Sequence, residues 1–233
     1  MKNFILSKIK NFRYEHKFFL KDISVEEIEN ILKLHPAMFR EIYHKRSVNN
    51  IYMDSYNLQH FFDNVYGVSK RLKVRIRWYG NLFGFIKNPN LELKVKHNFH
   101  IGKLIHLLHS FALDNNFSAE VIHSTLKKSD IAEPLKLYLA ELYCSLLNHY
   151  DRKYFLSSDG NYRITLDTNI TFYKLNMYTN NFLHKITNFN NVVMELKYNK
   201  PYDEFAENIT RHLPFRMTKN SKYVNGIFSL ETC

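Results

Sequence analysis

In the stretch KRLKVRIRWYG, residues 70–80, Lys73, Arg75 and Arg77 alternate with Val74, Ile76 and Trp78. A period of two is that of a β-strand, so three cations face one way and three large apolar groups the other. Like charges at this spacing repel one another, and a strand that needs only a wet face usually mixes signs. The pattern points either to an anion that completes a site or to a solvated edge strand that uses Lys and Arg against aggregation. Arginine offers a planar fork matched to phosphate oxygens, and lysine a mobile point charge.

The same design recurs along the chain. RYEHKFFL sets Arg13, Glu15 and Lys17 against Tyr14, His16 and Phe18, and LELKVK sets Glu92, Lys94 and Lys96 against Leu91, Leu93 and Val95. YRITLD sets Arg163, Thr165 and Asp167 against Ile164 and Leu166, and VVMELKY sets Glu195 and Lys197 against Met194 and Leu196. An open sheet could carry one or two such strands. Five predict a closed or nearly closed barrel with a charged interior and an apolar exterior packed under helices. Desolvating so many cations without counterions is costly, so the interior must be wet and hold a polyanion. Phosphoryl transfer asks mainly for alignment and charge neutralisation, usually with a divalent metal bridging the phosphates. Hard metals prefer carboxylate oxygens. Glu195, set among lysines, is the first candidate ligand and Glu15 the second; the alternative for each is a plain ion pair with a neighbouring Lys or Arg.

The elements that position these residues follow from spacing. Ser24 to Glu27 reads as a capping box ahead of a helix through Ile28, Ile31 and Leu32 that stops by His35-Pro36. Val48 to Asp54 and Tyr150 to Leu156 read as strands, the second followed by a turn at Ser158 to Gly160. From about Ile101 to Leu147 the spacing reads as helical, with Leu104, Leu107, Leu108 and Phe111 in one group and Leu135, Tyr138, Leu139, Leu142 and Leu146 in another. This predicts a helical lobe over residues 101–148 inserted between strands. Helices close the chain from Pro201 and from Met217 to Leu230. With no repeat, linker or low-complexity tract, the reading is one α+β domain over residues 1–233.

Composition narrows the class of partner. Hydrophobic content of 45% and aromatic content of 15% indicate a folded domain rather than a disordered chain. Lys+Arg 33 against Asp+Glu 22 leaves a net charge of +11, which favours a nucleotide, polyphosphate, nucleic acid or acidic membrane surface. Two cysteines, Cys144 in the helical pattern and Cys233, provide neither a disulfide framework nor a zinc site, as expected in a reducing compartment. No apolar run approaches the roughly 18 residues of a membrane span, and MKNFILSKIKNF lacks the features of a signal peptide, so the expected location is the cytoplasm. His97, His100, His106 and His109 straddle a strand end and a helix and read as non-ligating. Trp78 and the Tyr and Phe stripes read as packing against helices, and Lys127-Lys128 as solvated surface.

Taken in order, RYEHK, VNNIYMD, KVRIRWYG, LELK, YDRKYF, YRITLD, MELKY and KNSKY (Lys219 to Tyr223) resemble the VTC (vacuolar transporter chaperone) polyphosphate polymerase domain of the triphosphate tunnel metalloenzyme (CYTH-like) superfamily. The resemblance implies an antiparallel eight-stranded β-barrel tunnel with a charged interior, covered by helices and closed by a C-terminal capping helix. It implies that Lys17, Arg75, Arg77, Lys94, Arg152 and Arg163 line the tunnel and hold a triphosphate, and that Glu195 takes the metal position. Lys219 and Lys222 match a pair on the capping helix, and Tyr150 precedes Arg152 as the family's tyrosine does. Lys103 matches a further basic position in a poorer local context.

On this reading Arg75, Arg77, Tyr150, Arg152, Arg163 and Glu195 are the catalytic set. Arg13, Lys17, Lys73, Lys94, Lys96, Lys197, Lys219 and Lys222 bind substrate. Glu195 and Glu15 are the ligands of Mn2+ or Mg2+. The implied reaction moves the γ-phosphate of ATP or another nucleoside triphosphate onto inorganic polyphosphate. One departure matters: the hydrolase and cyclase branches open with Glu-x-Glu-x-Lys, and here Arg13 stands in the first acidic place, which favours the polymerase-like branch. The membrane segments and phosphate-sensing domain found with eukaryotic polymerase subunits are not in this sequence, which leaves open a different acceptor or a protein partner. The alternatives are a triphosphatase of the same fold and a non-catalytic polyphosphate- or nucleotide-binding module, with nucleic-acid binding the weakest.

Overall fold

The computed structural model describes residues 1–9, 12–98 and 100–232; Cys233 lies outside the described residues. Eleven strands are described: β1 (Phe12–Lys21), β2 (Arg40–Asp54), β3 (Lys70–Tyr79), β4 (Gly84–Ile86), β5 (Asn90–His97), β6 (His100–Leu107), β7 (Phe111–Leu113), β8 (Tyr143–Leu156), β9 (Arg163–Lys174), β10 (Lys185–Asn188) and β11 (Asn191–Asn199). The helices are α1 (Lys2–Lys8), α2 (Val25–Leu34), α3 (Gln59–Val65), α4 (Ala119–Lys128), α5 (Glu133–Ala140), α6 (Asp203–Arg211) and α7 (Lys222–Glu231). None of them is long and apolar enough to cross a membrane.

Eight strands run β9-β11-β1-β6-β5-β3-β2-β8, and β8 pairs again with β9, so the sheet closes into an antiparallel barrel. Closure removes the exposed edges that the solvated-edge reading of residues 70–80 requires. The ninth strand of this sheet, β10, adds to the outside of the ring through β9, and β4 pairs with β7 in a separate two-stranded sheet. Register puts charged faces in line: Lys17 lies opposite Glu195, Glu15 opposite Lys197, Arg75 opposite Glu92 and Lys73 opposite Lys94.

The barrel exterior is apolar and covered. Ile28 and Leu32 of α2, with Ala206 and Ile209 of α6, pack on Phe18, Ile164, Met194 and Leu196. The α2 start is the expected capping box: Ser24 Oγ accepts from the Glu27 amide, and Glu27 accepts from the Ser24 amide. A second layer packs α1, α4, α5 and the small sheet over Val74, Ile76, Leu93 and Val95. Trp78 meets Phe111 of β7 edge-on within this layer.

One expectation is corrected. Residues 100–107 form β6, and 111–113 form β7, so the helical lobe over 101–148 reduces to α4 and α5. Leu142 follows α5, while Cys144 and Leu146 belong to β8. The residues at 101–111 fit a helical spacing and a strand equally well, and the open edges of β1 and β5 decide: β6 fills the gap between them. Gly102 suits that place, because a Cβ there would lie 2.5 Å from Ile9 Cγ2. The charged interior ends at an apolar plug. Tyr52, Leu146, Tyr150, Phe172 and Val193 pack with Tyr223, Ile227 and Leu230 of α7, which plugs one end. Gly226 permits the close approach, since a Cβ there would sit 2.5 Å from Leu146 Cδ2 and 2.6 Å from Phe172 Cδ1.

Candidate active site

Beside the plug, the barrel wall carries four buried carboxylates, Glu15, Glu92, Asp167 and Glu195, each held by at least two cations. Glu195 Oε2 lies 2.6 Å from Lys197 and 3.8 Å from Arg152, and its Oε1 lies 3.3 Å from Lys17 and 4.0 Å from Lys222. Burial would raise this carboxyl, but Lys197, Lys17, Lys222 and Arg152 together hold it well below the usual carboxylate range. Glu15 accepts from Arg13 at 2.9 Å and from Lys94 at 2.6 Å, so both its oxygens are engaged.

The arginines are braced by the same carboxylates. Arg75 donates to Glu92 at 2.8 Å through Nε, and Arg77 donates to Asn50 at 2.8 Å and to the Tyr150 hydroxyl at 2.9 Å. Arg152 donates through Nη2 to Asp167 at 2.7 Å, with its guanidinium 5.2 Å from the Tyr150 ring centre. Lys222, the first residue of α7, reaches Asp167 at 2.5 Å. Burial opposes ionisation of the Tyr150 phenol, yet Arg152 and Arg77 pull it below its ordinary value.

Sequence reasoning left Glu92 and Asp167 unassigned and Lys103 in doubt. Glu92 joins Arg75 and Lys103, whose Nζ donates to it at 2.7 Å. The signal for Glu92 and Asp167 was present, since both share a face with predicted site residues. Lys103 was obscured by the helical reading of its segment.

Other predicted residues lie toward the rim. Lys96 and the exposed Lys219 line a cavity of about 700 Å³ together with Lys17, Lys73, Lys94 and Ser221. Lys219 precedes α7 rather than lying on it, in a segment tied to β1 by the Thr218 amide donating to the Lys17 carbonyl. Arg163 is exposed and makes no ion pair among the described residues.

Lys73 differs from its neighbours: its Nζ donates to Ser221 Oγ at 2.6 Å, and no carboxylate pairs with it among the described residues. Burial, and then Lys17, Lys94, Arg75 and Arg71, push Lys73 well below the ordinary lysine range. Burial outweighs Glu15 and lowers Lys94 to about 8, and outweighs Glu195 and lowers Lys197 to about 7. A phosphate chain placed here restores the charged forms, so its binding takes up protons near pH 8. Titration calorimetry of tripolyphosphate in buffers of different ionisation enthalpy measures that uptake; heats independent of buffer would refute it. Without ligand, these depressed values mean that the unfolded state binds more protons. Stability therefore rises with pH from about 7 through about 8 toward the free lysine value.

Among the described residues, no group of three or more His, Cys, Asp or Glu side chains converges as a metal cage. The donors present fit a hard cation held by one carboxylate, or two, and completed by phosphate oxygens and water, as is usual for Mg2+.

Comparison with known proteins agrees with this geometry. The VTC domain family model matches residues 12–231. No curated protein is significantly similar in sequence. Among solved structures, a candidate adenylate cyclase from Vibrio parahaemolyticus is similar at 12% identity with a TM-score of 0.52, over 94% of this chain and 98% of that one. A candidate adenylyl cyclase from Hippeastrum, described as having a dominant triphosphatase activity, is similar at 14% identity with a TM-score of 0.52, over 94% and 95%. These likenesses establish the tunnel fold.

Proposed function

The chain belongs to the VTC domain family, and from that premise we propose that it transfers the γ-phosphate of a nucleoside triphosphate to a polyphosphate chain inside the barrel. The observation that carries this reading is the surplus of cations over carboxylates in a closed interior, with Lys73 lacking a carboxylate partner. A buried surplus of this kind is stabilised by a polyanion.

Arg75, Arg77 and Arg152 are fixed in place by Glu92, Asn50, Tyr150 and Asp167, so their free guanidinium edges meet the phosphates without reorganising. Lys17, Lys94, Lys197 and Lys222 neutralise charge that moves toward the leaving diphosphate, and Lys73, Lys96 and Lys219 at the mouth guide the entering chain. Arg13 braces Glu15, and Arg163 supplies a further cation at the rim. Glu195, with Glu15 behind it, would hold Mn2+ or Mg2+, which when bound polarises the phosphates and neutralises their charge.

The second reading is a triphosphatase, which the activity described for the Hippeastrum neighbour favours. Arg13 in place of an acidic residue favours the polymerase. Purified protein incubated with ATP and Mn2+, with products run on a polyphosphate gel and free phosphate assayed in parallel, separates them. A growing ladder with ADP release is the expected result. Free phosphate without a ladder would establish the triphosphatase, and tight binding with neither product would leave a binding module or an enzyme lacking a protein partner.

A further inference from the structure

Among the described residues, the hydroxyl groups of Tyr150, Thr165 and Ser221 each accept a hydrogen bond from a cation of the interior, and their surroundings differ. Tyr150 Oη accepts from Arg77 within the buried wall, and Thr165 Oγ1 faces Lys197 at 3.3 Å beside the Glu195 carboxylate. Ser221 is 9% exposed, lines the 700 Å³ cavity, and is the one whose cationic partner has no carboxylate of its own among the described residues. Lys73 Nζ stands 2.6 Å from its Oγ, and Lys17 Nζ stands 2.9 Å from the carbonyl oxygen of the adjacent Asn220. The Val224 amide also donates to Ser221 Oγ at 3.3 Å, which leaves the hydroxyl proton directed away from the helix.

We propose that Ser221 Oγ is itself a phosphoryl acceptor: the Lys73–Ser221 pair at the cavity wall takes the γ-phosphate of the bound nucleoside triphosphate as a phosphoserine. The proposal rests on the phosphotransferase reading above. In the transfer, Oγ forms a bond to the γ-phosphorus while the hydroxyl proton passes to a non-bridging oxygen of that phosphoryl group, and the Lys73 ammonium stays paired with the incoming charge. The bond from that phosphorus to the β–γ bridging oxygen breaks, and the nucleoside diphosphate leaves with the electron pair. The products are the phosphate ester, which carries that proton until it is lost to solvent, and the nucleoside diphosphate, so atoms and charge balance. The ester sits beside Lys73 and Lys17 at the first turn of α7, where both ion pairing and the helix dipole favour a phosphate dianion. Its terminal oxygens are then available to a further transfer, which gives the protein an acceptor of its own when no polyphosphate is present.

The test uses the whole chain, Mn2+ and ATP labelled in the γ-phosphate, with an acid quench and peptide mapping by mass spectrometry; ADP release is followed in the same tubes. Acid-stable label on the peptide carrying Ser221, approaching one phosphate per chain without added polyphosphate, is expected. Ser221→Asn keeps a side chain able to cap α7 and should reduce the label to background with an unchanged melting curve; Ser221→Thr should retain it. ADP release with no labelled protein, or label on another residue, would overturn the proposal and leave the phosphotransferase reading intact. Neither ADP release nor label, from a protein that binds ATP, would remove both.

Discussion

Replacing Glu195 by Gln is expected to lower metal-dependent turnover at least about a hundredfold while tripolyphosphate binding is kept or tightened. The two effects separate because the carboxylate does two things. On the proposed reading it is the ligand of the hard metal, and it partly neutralises Lys17, Lys197, Arg152 and Lys222. An amide keeps the shape and loses both the charge and the affinity for a hard cation. The four cations left without it repel one another and attract a polyanion more strongly. Steady-state phosphate transfer against Mn2+ concentration, alongside calorimetry with tripolyphosphate, measures both. Full metal-dependent turnover in Glu195→Gln would sink the assignment of this residue.

Asp167→Asn should produce a large loss of stability. Its carboxylate is fully buried and joins Arg152 at 2.7 Å to Lys222 at 2.5 Å, so it ties barrel strand β9 to the start of the plugging helix. Removing one partner from a buried ionic cluster costs about 3–5 kcal/mol, because charges remain without compensation. For a chain of this size that corresponds to a melting temperature lower by about 10 °C. Tripolyphosphate should restore more stability to the variant than it adds to the parent, since it supplies the missing negative charge. Thermal melts with and without tripolyphosphate test this. An unchanged melting temperature without ligand would show that the Arg152–Asp167–Lys222 cluster does not anchor α7.

Much of this site was legible because a strand has a period of two. Glu15, Lys17, Arg75, Arg77, Lys94, Glu195 and Lys197 were placed on charged faces by alternation alone, and the barrel turns those faces inward. Arg152 and Tyr150 came from resemblance, since YDRKYFL by itself mixes charge and aromatic groups on both faces. The segment at 101–111 was misread because leucines spaced by three and four also satisfy a strand that is apolar on both sides. Nothing local separates the two. Only the unfilled hydrogen bonds of β1 and β5 do so.

The sequence by itself determined the alternation of apolar and cationic positions, the surplus of positive charge and the capped start of α2. Each of these depends on residues no more than a few positions apart, or on composition. The tertiary structure alone decided which carboxylate neutralises which cation: Glu92 with Lys103, Asp167 with Lys222, Glu195 with Lys17. It also decided that α7 enters one end of the barrel, leaving Lys73 to Ser221 instead of an acid. Such pairings depend on strand register and closure of the ring, and join residues as far apart as Lys17 and Glu195. The Coulomb energy that ranks them depends on distances that exist only once the barrel has closed.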